Sequence, residues 1–227
     1  MKLLLTSNGL CNKTIANALL DLLGKTFAKT NLAFIPTAAN VEEGDKRWLI
    51  DDLSNCKKLG FASIDIVDIS ALPKNLWLPR LKLADVLLFG GGNTFHLMYW
   101  LEKSGLAKIL PSMLKTRVYV GISAGSMIAG QAISLSQSKK LYYPELKSLY
   151  QNEHGLELVN FHIRPHLNSK LFPNIRKETL EKLAKEIKGT IYAIDDQTVI
   201  KVDGKKVEIV GEGKHLVFNK GLIHGRI

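Results

Sequence analysis

The stretch from Arg117 to Gly130 restricts the fold more than any other part of the chain. Val118 to Ile122 is an apolar run of the kind that is buried on both faces of a parallel sheet. It ends in Gly121-Ile122-Ser123-Ala124-Gly125, a Gly-x-Ser-x-Gly pentapeptide, and small and apolar residues then continue as an expected helix. Strand, sharp turn and helix form the context in which this motif has a mechanism: the turn holds the serine in a strained conformation with its hydroxyl exposed. The flanking glycines remove the Cβ atoms that would clash in so tight a bend. Behind the serine, the helix N-terminus offers backbone N–H groups and a positive dipole end to an oxyanion.

The rest of the chain repeats the unit. Lys2–Thr6 reads as a first strand and 11–24 as a helix with Ile15, Leu19, Leu22 and Leu23 on one face; Gly24 ends it. Asn31–Ile35 is a second strand, stopped by Pro36. A helix at 42–59 keeps Leu49, Leu53, Cys56 and Leu59 at helical spacing. Ser63–Val67 and Ala84–Phe89 are further strands, followed by helices at 94–104 and 105–116. Residues 131–156 are polar and turn-rich. Leu156–Ile163 reads as a strand ending at Arg164-Pro165-His166, 174–188 as a charged helix, and Thr190–Ile194 as a strand leading to Asp195-Asp196. Alternation then sets in from Thr198, and Asp203-Gly204 signals a hairpin. The expected fold class is α/β: a mostly parallel central sheet with an antiparallel C-terminal hairpin.

At 227 residues the chain can bury one substantial core, and no linker, repeat or low-complexity tract divides it. A single domain over 1–227 is expected, with 221–227 as a frayed tail. The N-terminal apolar run is too short for a signal peptide, and nothing approaches a membrane span of about 18 residues. Two cysteines, Cys11 and Cys56, do not make a disulfide framework, so a cytoplasmic protein is expected. The net charge is +10, which raises nucleic acid or acidic substrates as partners. The lysine pairs are scattered over different elements, however, without interleaved aromatics to stack on bases. No nucleic-acid and no membrane partner is expected; a homodimer is compatible with this reading.

Gly90-Gly91-Gly92-Asn93-Thr94 stands where a strand gives way to a helix, so bare backbone N–H groups can approach an anion. The functional reading is a second oxyanion donor from a strand next to the serine. A phosphate cradle fits less well, since Phe95 replaces the third glycine of a dinucleotide fingerprint and no Walker lysine follows; a structural turn is the remaining alternative. An elbow serine needs an imidazole within reach. Of His96, His154, His162, His166, His215 and His224, His166 follows a proline at the carboxyl end of a strand, where sites form in α/β sheets, and comes after the serine in the chain. His96 and His162 read as packing residues. Cys11 is the competing nucleophile, near a helix start that would lower its pKa, but without turn or glycine loop it reads as a small core residue. His162 and His166 lack further ligands at metal spacing, so no metal is expected.

Taken together, Gly90 to His96, Gly121 to Ser126 and Asn160 to His166 resemble the S51 serine peptidase family, which includes dipeptidase E and cyanophycinase. The resemblance implies a flavodoxin-like sandwich related to the class I glutamine amidotransferases, and no cofactor. It implies a peptidase acting on short peptides: Ser123 as nucleophile, His166 as base, and Gly91 or Gly92 with the N–H of Ala124 as oxyanion hole. Two departures stand out. Where dipeptidase E carries an aspartate after the serine, this chain reads Ser134 to Lys139 without a carboxylate. Ser138 or Gln137 would then substitute, or Glu145, Glu153, Glu157 or Asp195 would reach His166 from elsewhere. The substrate-binding arginine of dipeptidase E has no counterpart in register either, Arg164 and Arg176 being nearby, so strict aspartyl specificity is not expected. The alternative function is a weakly active or non-catalytic member of the fold that binds an anion or peptide.

Overall fold

The computed structural model describes residues 1–220; the expected frayed tail, with His224, lies outside the described residues. Five parallel strands form the centre of a seven-stranded sheet: β1 (Lys2–Thr6), β2 (Asn31–Ile35), β3 (Ser63–Ile66), β4 (Val86–Phe89) and β5 (Val118–Ile122). The hairpin of β8 (Thr198–Asp203) and β9 (Lys206–Gly211) closes one edge, giving the order β3-β2-β4-β5-β1-β8-β9. β8 runs antiparallel to β1 and β9 antiparallel to β8, the hairpin turning at Gly204-Lys205 with Gly204 at φ 59°.

Both faces of β1, β2, β4 and β5 are buried, which explains their apolar runs, whereas β3 at the edge is partly exposed. Alternate residues feed two separate cores. Leu3, Leu5, Ala33, Ile35, Leu87, Phe89 and Tyr119 face one side; Leu4, Leu32, Phe34, Val86, Leu88, Val118 and Val120 face the other. On the second side lie α1 (Lys13–Leu23), with Ile15, Leu19 and Leu22 buried, and α2 (Arg47–Lys58), with Cys56 buried. On the first lie α3 (Lys74–Leu83), α4 (Thr94–Lys103), α5 (Leu106–Met113) and the one-turn α6 (Ala124–Met127). Asn12 and Asn93 cap α1 and α4 by accepting hydrogen bonds from backbone N–H groups two or three residues on.

Several elements differ from the sequence reading. α2 starts at Arg47, not at 42, and α3 and α7 (Leu135–Leu141) form in stretches without a clear period. Pro79 lies inside α3 as its sixth residue, past the first turn, so the helix forgoes the bond that an N–H there would donate to Asn75 O. The expected strand 156–163 shrinks to β6 (His162–Arg164). Its earlier part instead binds the end of α6: the amides of Leu156, Glu157 and Leu158 donate to the carbonyls of Ile128, Gly130 and Ala129. Those carbonyls are left over where a helix stops, and they take these amides before a sheet can.

A second sheet, which the sequence does not announce, lies beside the central one. β6, β7 (Ile191–Ile194) and β10 (His215–Phe218) form this three-stranded sheet in the order β10-β7-β6, with α8 (Lys177–Ala184) packed beside it. β6 and β7 are parallel. Phe161, Ile163 and Ile194 join the first core, while Leu167, Ile175, Leu180, Leu183 and Ala193 form a third. No helix among the described residues is long and apolar enough to cross a membrane.

Candidate active site

β4 and β5 are neighbours in the large sheet, so their carboxyl ends deliver the Gly90–Gly92 loop and Ser123 side by side. Ser123 has φ 47° and ψ −104°, a backbone conformation a non-glycine residue adopts only under constraint. The constraint comes from both sides. Its N–H donates to Thr6 O at 3.0 Å, and its carbonyl accepts from the N–H groups of Ser126 and Met127. The glycines beside it are needed for close approach: a Cβ on Gly121 would lie 2.6 Å from Gly125 O, and one on Gly125 would lie 2.1 Å from Phe89 O. Tyr119 Oη donates to Gly125 O at 2.5 Å and locks the turn from beneath.

β6 and β7 end side by side in the smaller sheet, and each is followed two residues later by a polar side chain of the site: His166 after Arg164, Asp196 after Ile194. His166 Nδ1 lies 2.7 Å from Asp196 Oδ1 and its Nε2 lies 2.9 Å from Ser123 Oγ. With Nδ1–H donating to the carboxylate, Nε2 is left to accept the serine proton. The ring is held in place by more than these two bonds. His166 N donates to Ser7 Oγ, which itself donates to Ile194 O, so the end of β1 ties the histidine to β7. Phe172 stacks on the imidazole at 4.6 Å between centroids.

The structure therefore brings Ser123 and His166 together, and Gly91 with them. A Cβ on Gly91 would stand 3.5 Å from Ser123 Cβ, so that backbone lies against the serine. Gly92, at φ 121°, is pressed on Ala38, whose carbonyl oxygen would be 2.4 Å from an added Cβ. Within the described residues the amides of Gly91, Gly92 and Ala124 donate no hydrogen bond, whereas those of Gly90 and Asn93 on either side donate to Ile35 O and Ala38 O. Unengaged N–H groups beside a serine hydroxyl are what an oxyanion hole requires.

The acid beside His166 is Asp196, not one of the groups expected from the sequence. None of those reaches the ring. Asp195 faces the opposite way, accepting from the N–H groups of Gln197 and Lys214 and from Thr198 Oγ1. Glu153 accepts from Leu135 N, and Gln137 accepts from Arg164 Nη2. Ser138 lines the cavity without touching the histidine, and neither Glu145 nor Glu157 bonds to it among the described residues. A signal was present in the paired aspartates that follow a strand. Choosing between them required knowing which one turns toward β6.

The other candidates fall outside the site. Cys11 Sγ donates to Asp196 O, and burial pushes its thiol up to about 11, overriding any lowering by the nearby helix. His96 is buried in α4 with Trp100 edge-on, and burial depresses its pKa. His162 is buried, with Nε2 at 3.1 Å from Lys188 O. Arg164 is buried under the site and bonded to Ile163 O and Gln137; Arg176 binds the carbonyls of Ser169, Phe172 and Ile175 and so shapes the 169–176 loop.

Ser123, His166 and Asp196 open on a cavity of about 230 Å³. Its walls carry Trp48, Tyr142, Tyr143, Leu146 and Phe172, together with the carboxyl groups of Glu42 and Asp52. Among the described residues neither lysine nor arginine lines it, although the chain has 31 of them. The positive net charge thus does not extend into the cavity.

Comparison with known proteins identifies the family of the chain. The family model described as peptidase family S51 matches residues 3–210. An uncharacterized peptidase of Pasteurella multocida is 29% identical over 86% of this chain and 91% of its own length. Peptidase E of the same organism is 24% identical over 90% of this chain and 82% of its own. A crystal structure from Listeria monocytogenes, of a protein provisionally named peptidase E, superposes with a TM-score of 0.76 at 26% identity, covering 93% of this chain and 98% of that one.

Proposed function

Because the chain belongs to peptidase family S51 and is a peptidase, we propose that it hydrolyses short peptides by serine acyl transfer. In this reading Ser123 is the nucleophile, His166 the general base and acid, and Asp196 the group that orients the histidine. The observation that carries it is the unbroken chain of hydrogen bonds from Asp196 through His166 to Ser123 at the cavity wall, at 2.7 and 2.9 Å.

Ser123 Oγ attacks the scissile carbonyl carbon while His166 Nε2 takes its proton. The negative charge that forms on the carbonyl oxygen is met by the amides of Gly91 or Gly92 and Ala124. The imidazolium, steadied by Asp196, returns the proton to the leaving amine as the C–N bond breaks. Water then attacks the acyl-serine by the same route, giving up its proton to His166 and releasing the carboxylic acid. The cavity is smaller than the ~300–1,000 Å³ usual for drug-sized ligands, which supports a di- or tripeptide in preference to a long chain. The absence of lysine and arginine from its walls among the described residues argues against a strict requirement for an aspartyl side chain. We read residues 1–227 as one such domain, acting in the cytoplasm, where free thiols such as Cys11 and Cys56 stay reduced.

The test is labelling with a fluorophosphonate probe followed by peptide mapping. Label is expected on Ser123, and Ser123→Ala and His166→Ala are expected to lose it with unchanged circular dichroism. Undiminished labelling of Ser123→Ala, or label mapped to Cys11, refutes the assignment.

A further inference from the structure

Asp52 is a carboxyl group with nothing to balance it. It lies on α2, is 5% exposed, and makes neither a hydrogen bond nor an ion pair among the described residues. A buried carboxylate is ordinarily paired or hydrogen-bonded, because an isolated charge in a low dielectric is costly. Burial, with Asp51 beside it, pushes this carboxyl up to about 7, the behaviour of an acid without a cationic partner. Mere packing would have been served by an apolar residue of the same size.

Its position gives the missing partner a place. Asp52 lines the cavity that holds Ser123, and its Oδ1 is seated over Gly9, where an added Cβ would come within 2.8 Å of it and within 3.0 Å of Ile122 Cδ1. Ile122 is the residue before Ser123. One turn earlier on α2, at i−4 and so on the same face, Trp48 also lines the cavity, and its ring is next to Gly91: Cζ3 would be 3.7 Å from a Cβ there. Glu42 brings another carboxylate to the same cavity, accepting a hydrogen bond from Tyr143 Oη at 3.0 Å. Carboxylates set among aromatic faces, with no lysine or arginine, form the environment an ammonium group seeks, through charge pairing and through the quadrupole of the rings.

We propose that Asp52 is a specificity-determining residue that binds a cationic ammonium group of the peptide, so that substrates with a positive group next to the scissile bond are preferred over acidic ones. This rests on the peptidase reading above. The ammonium can come from the peptide's α-amino terminus or from a lysine-type side chain; the recognising chemistry is shared. On binding, the ammonium replaces water with Asp52 and with the aromatic walls, and the carboxyl changes from an unpaired acid to the carboxylate of an ion pair.

The experiment measures binding on Ser123→Ala, so that it does not depend on turnover. Calorimetric titration compares Lys-Ala with norleucine-Ala, Asp-Ala and the N-acetyl form of each. Loss of one partner of a desolvated charge pair costs enough to expect at least about tenfold weaker binding of the ligand that lacks the relevant ammonium. A loss on acetylation assigns the α-amino group, and a loss from lysine to norleucine assigns the side chain. Asp52→Asn, made in the same background, is expected to remove the difference. In the active enzyme it is expected to raise KM for the cationic peptide more than it lowers kcat. Equal affinity for all charged and neutral forms overturns the proposal, as does a cation preference that persists in Asp52→Asn. The first of these comparisons needs no Asp52 variant, so poor folding of that variant would not shield the proposal. If instead the wild-type protein neither takes the fluorophosphonate label nor turns over any peptide, while the cation preference holds on Ser123→Ala, the serine mechanism has failed and the cation site stands.

Discussion

Asp195 and Asp196 are adjacent in the chain and oppose each other in role, which makes them a sharp test of the site. Asp196→Asn keeps the volume and removes the charge that accepts from His166 Nδ1. The amide can then present its NH2 to the ring, and the imidazole must answer with Nδ1 as acceptor and the proton on Nε2. In that tautomer it cannot take the proton of Ser123. A comparable wrong-tautomer substitution in another serine protease costs about 10⁴ in rate, or on the order of 5 kcal/mol at about 1.4 kcal/mol per tenfold. The geometry here moderates that ceiling. The Asp196 side chain is 36% exposed, so the amide can turn its oxygen to the ring at little cost and water can screen the lost charge. We therefore expect a loss of about 10²–10⁴ in kcat/KM and in the rate of fluorophosphonate labelling. Asp195→Asn is the control. Its carboxylate gathers the N–H groups of Gln197 and Lys214 and Thr198 Oγ1 into the turn between β7 and β8, and an amide presents a donor where only donors converge. It should cost about 1–3 kcal/mol of stability in urea unfolding and leave labelling per folded molecule near the wild-type rate. Wild-type labelling by Asp196→Asn, or slow labelling by folded Asp195→Asn instead, would refute the assignment of the third residue.

Two further outcomes follow from other parts of the site. Asp52 holds its proton more tightly folded, at about 7, than at its ordinary 3.8. The folded chain thus binds more protons between those values, and stability falls as pH rises from about 4 to 7. Asp52→Asn should cancel that part of the slope and be more stable than wild type at pH 8, by a few kcal/mol at most; urea unfolding at pH 5 and 8 measures it, and parallel curves for the two proteins would count against an unpaired buried carboxyl. Gly92→Ala must relieve a Cβ placed 2.4 Å from Ala38 O at φ 121°, so the loop has to shift and its amides with it. Labelling should drop about 10²-fold, in line with loss of an oxyanion donor, whereas Gly91→Ala, whose Cβ meets only ordinary contacts at 3.5 Å or more, should fold normally; an unchanged rate in Gly92→Ala would show that this loop is not the donor.

The elements legible in the sequence are those whose signals are local. Buried parallel strands announce themselves as apolar runs, the hairpin by Asp203-Gly204, and the strained turn by Gly121, Ser123 and Gly125, because each depends on backbone conformation within a few residues. Ser123, His166 and the Gly90–Gly92 loop could be singled out for the same reason: each sits at a strand end with recognisable punctuation. Other features depended on pairing between distant segments. Leu156–Ile163 has the apolarity of a strand, yet most of it serves the unpaired carbonyls at the end of α6. Nothing near β6 or β7 says that they leave the main sheet to pair with each other, and only that pairing sets Asp196, not Asp195 or a glutamate, against His166. The unpaired state of Asp52 is likewise invisible from its place on an amphipathic helix, where it stands four residues before Cys56 on the inward face. Chain-local geometry chose the serine and its strain. Strand register and the facing of side chains across two sheets, which no neighbour in sequence encodes, decided which acid completes the site and what charge the cavity presents.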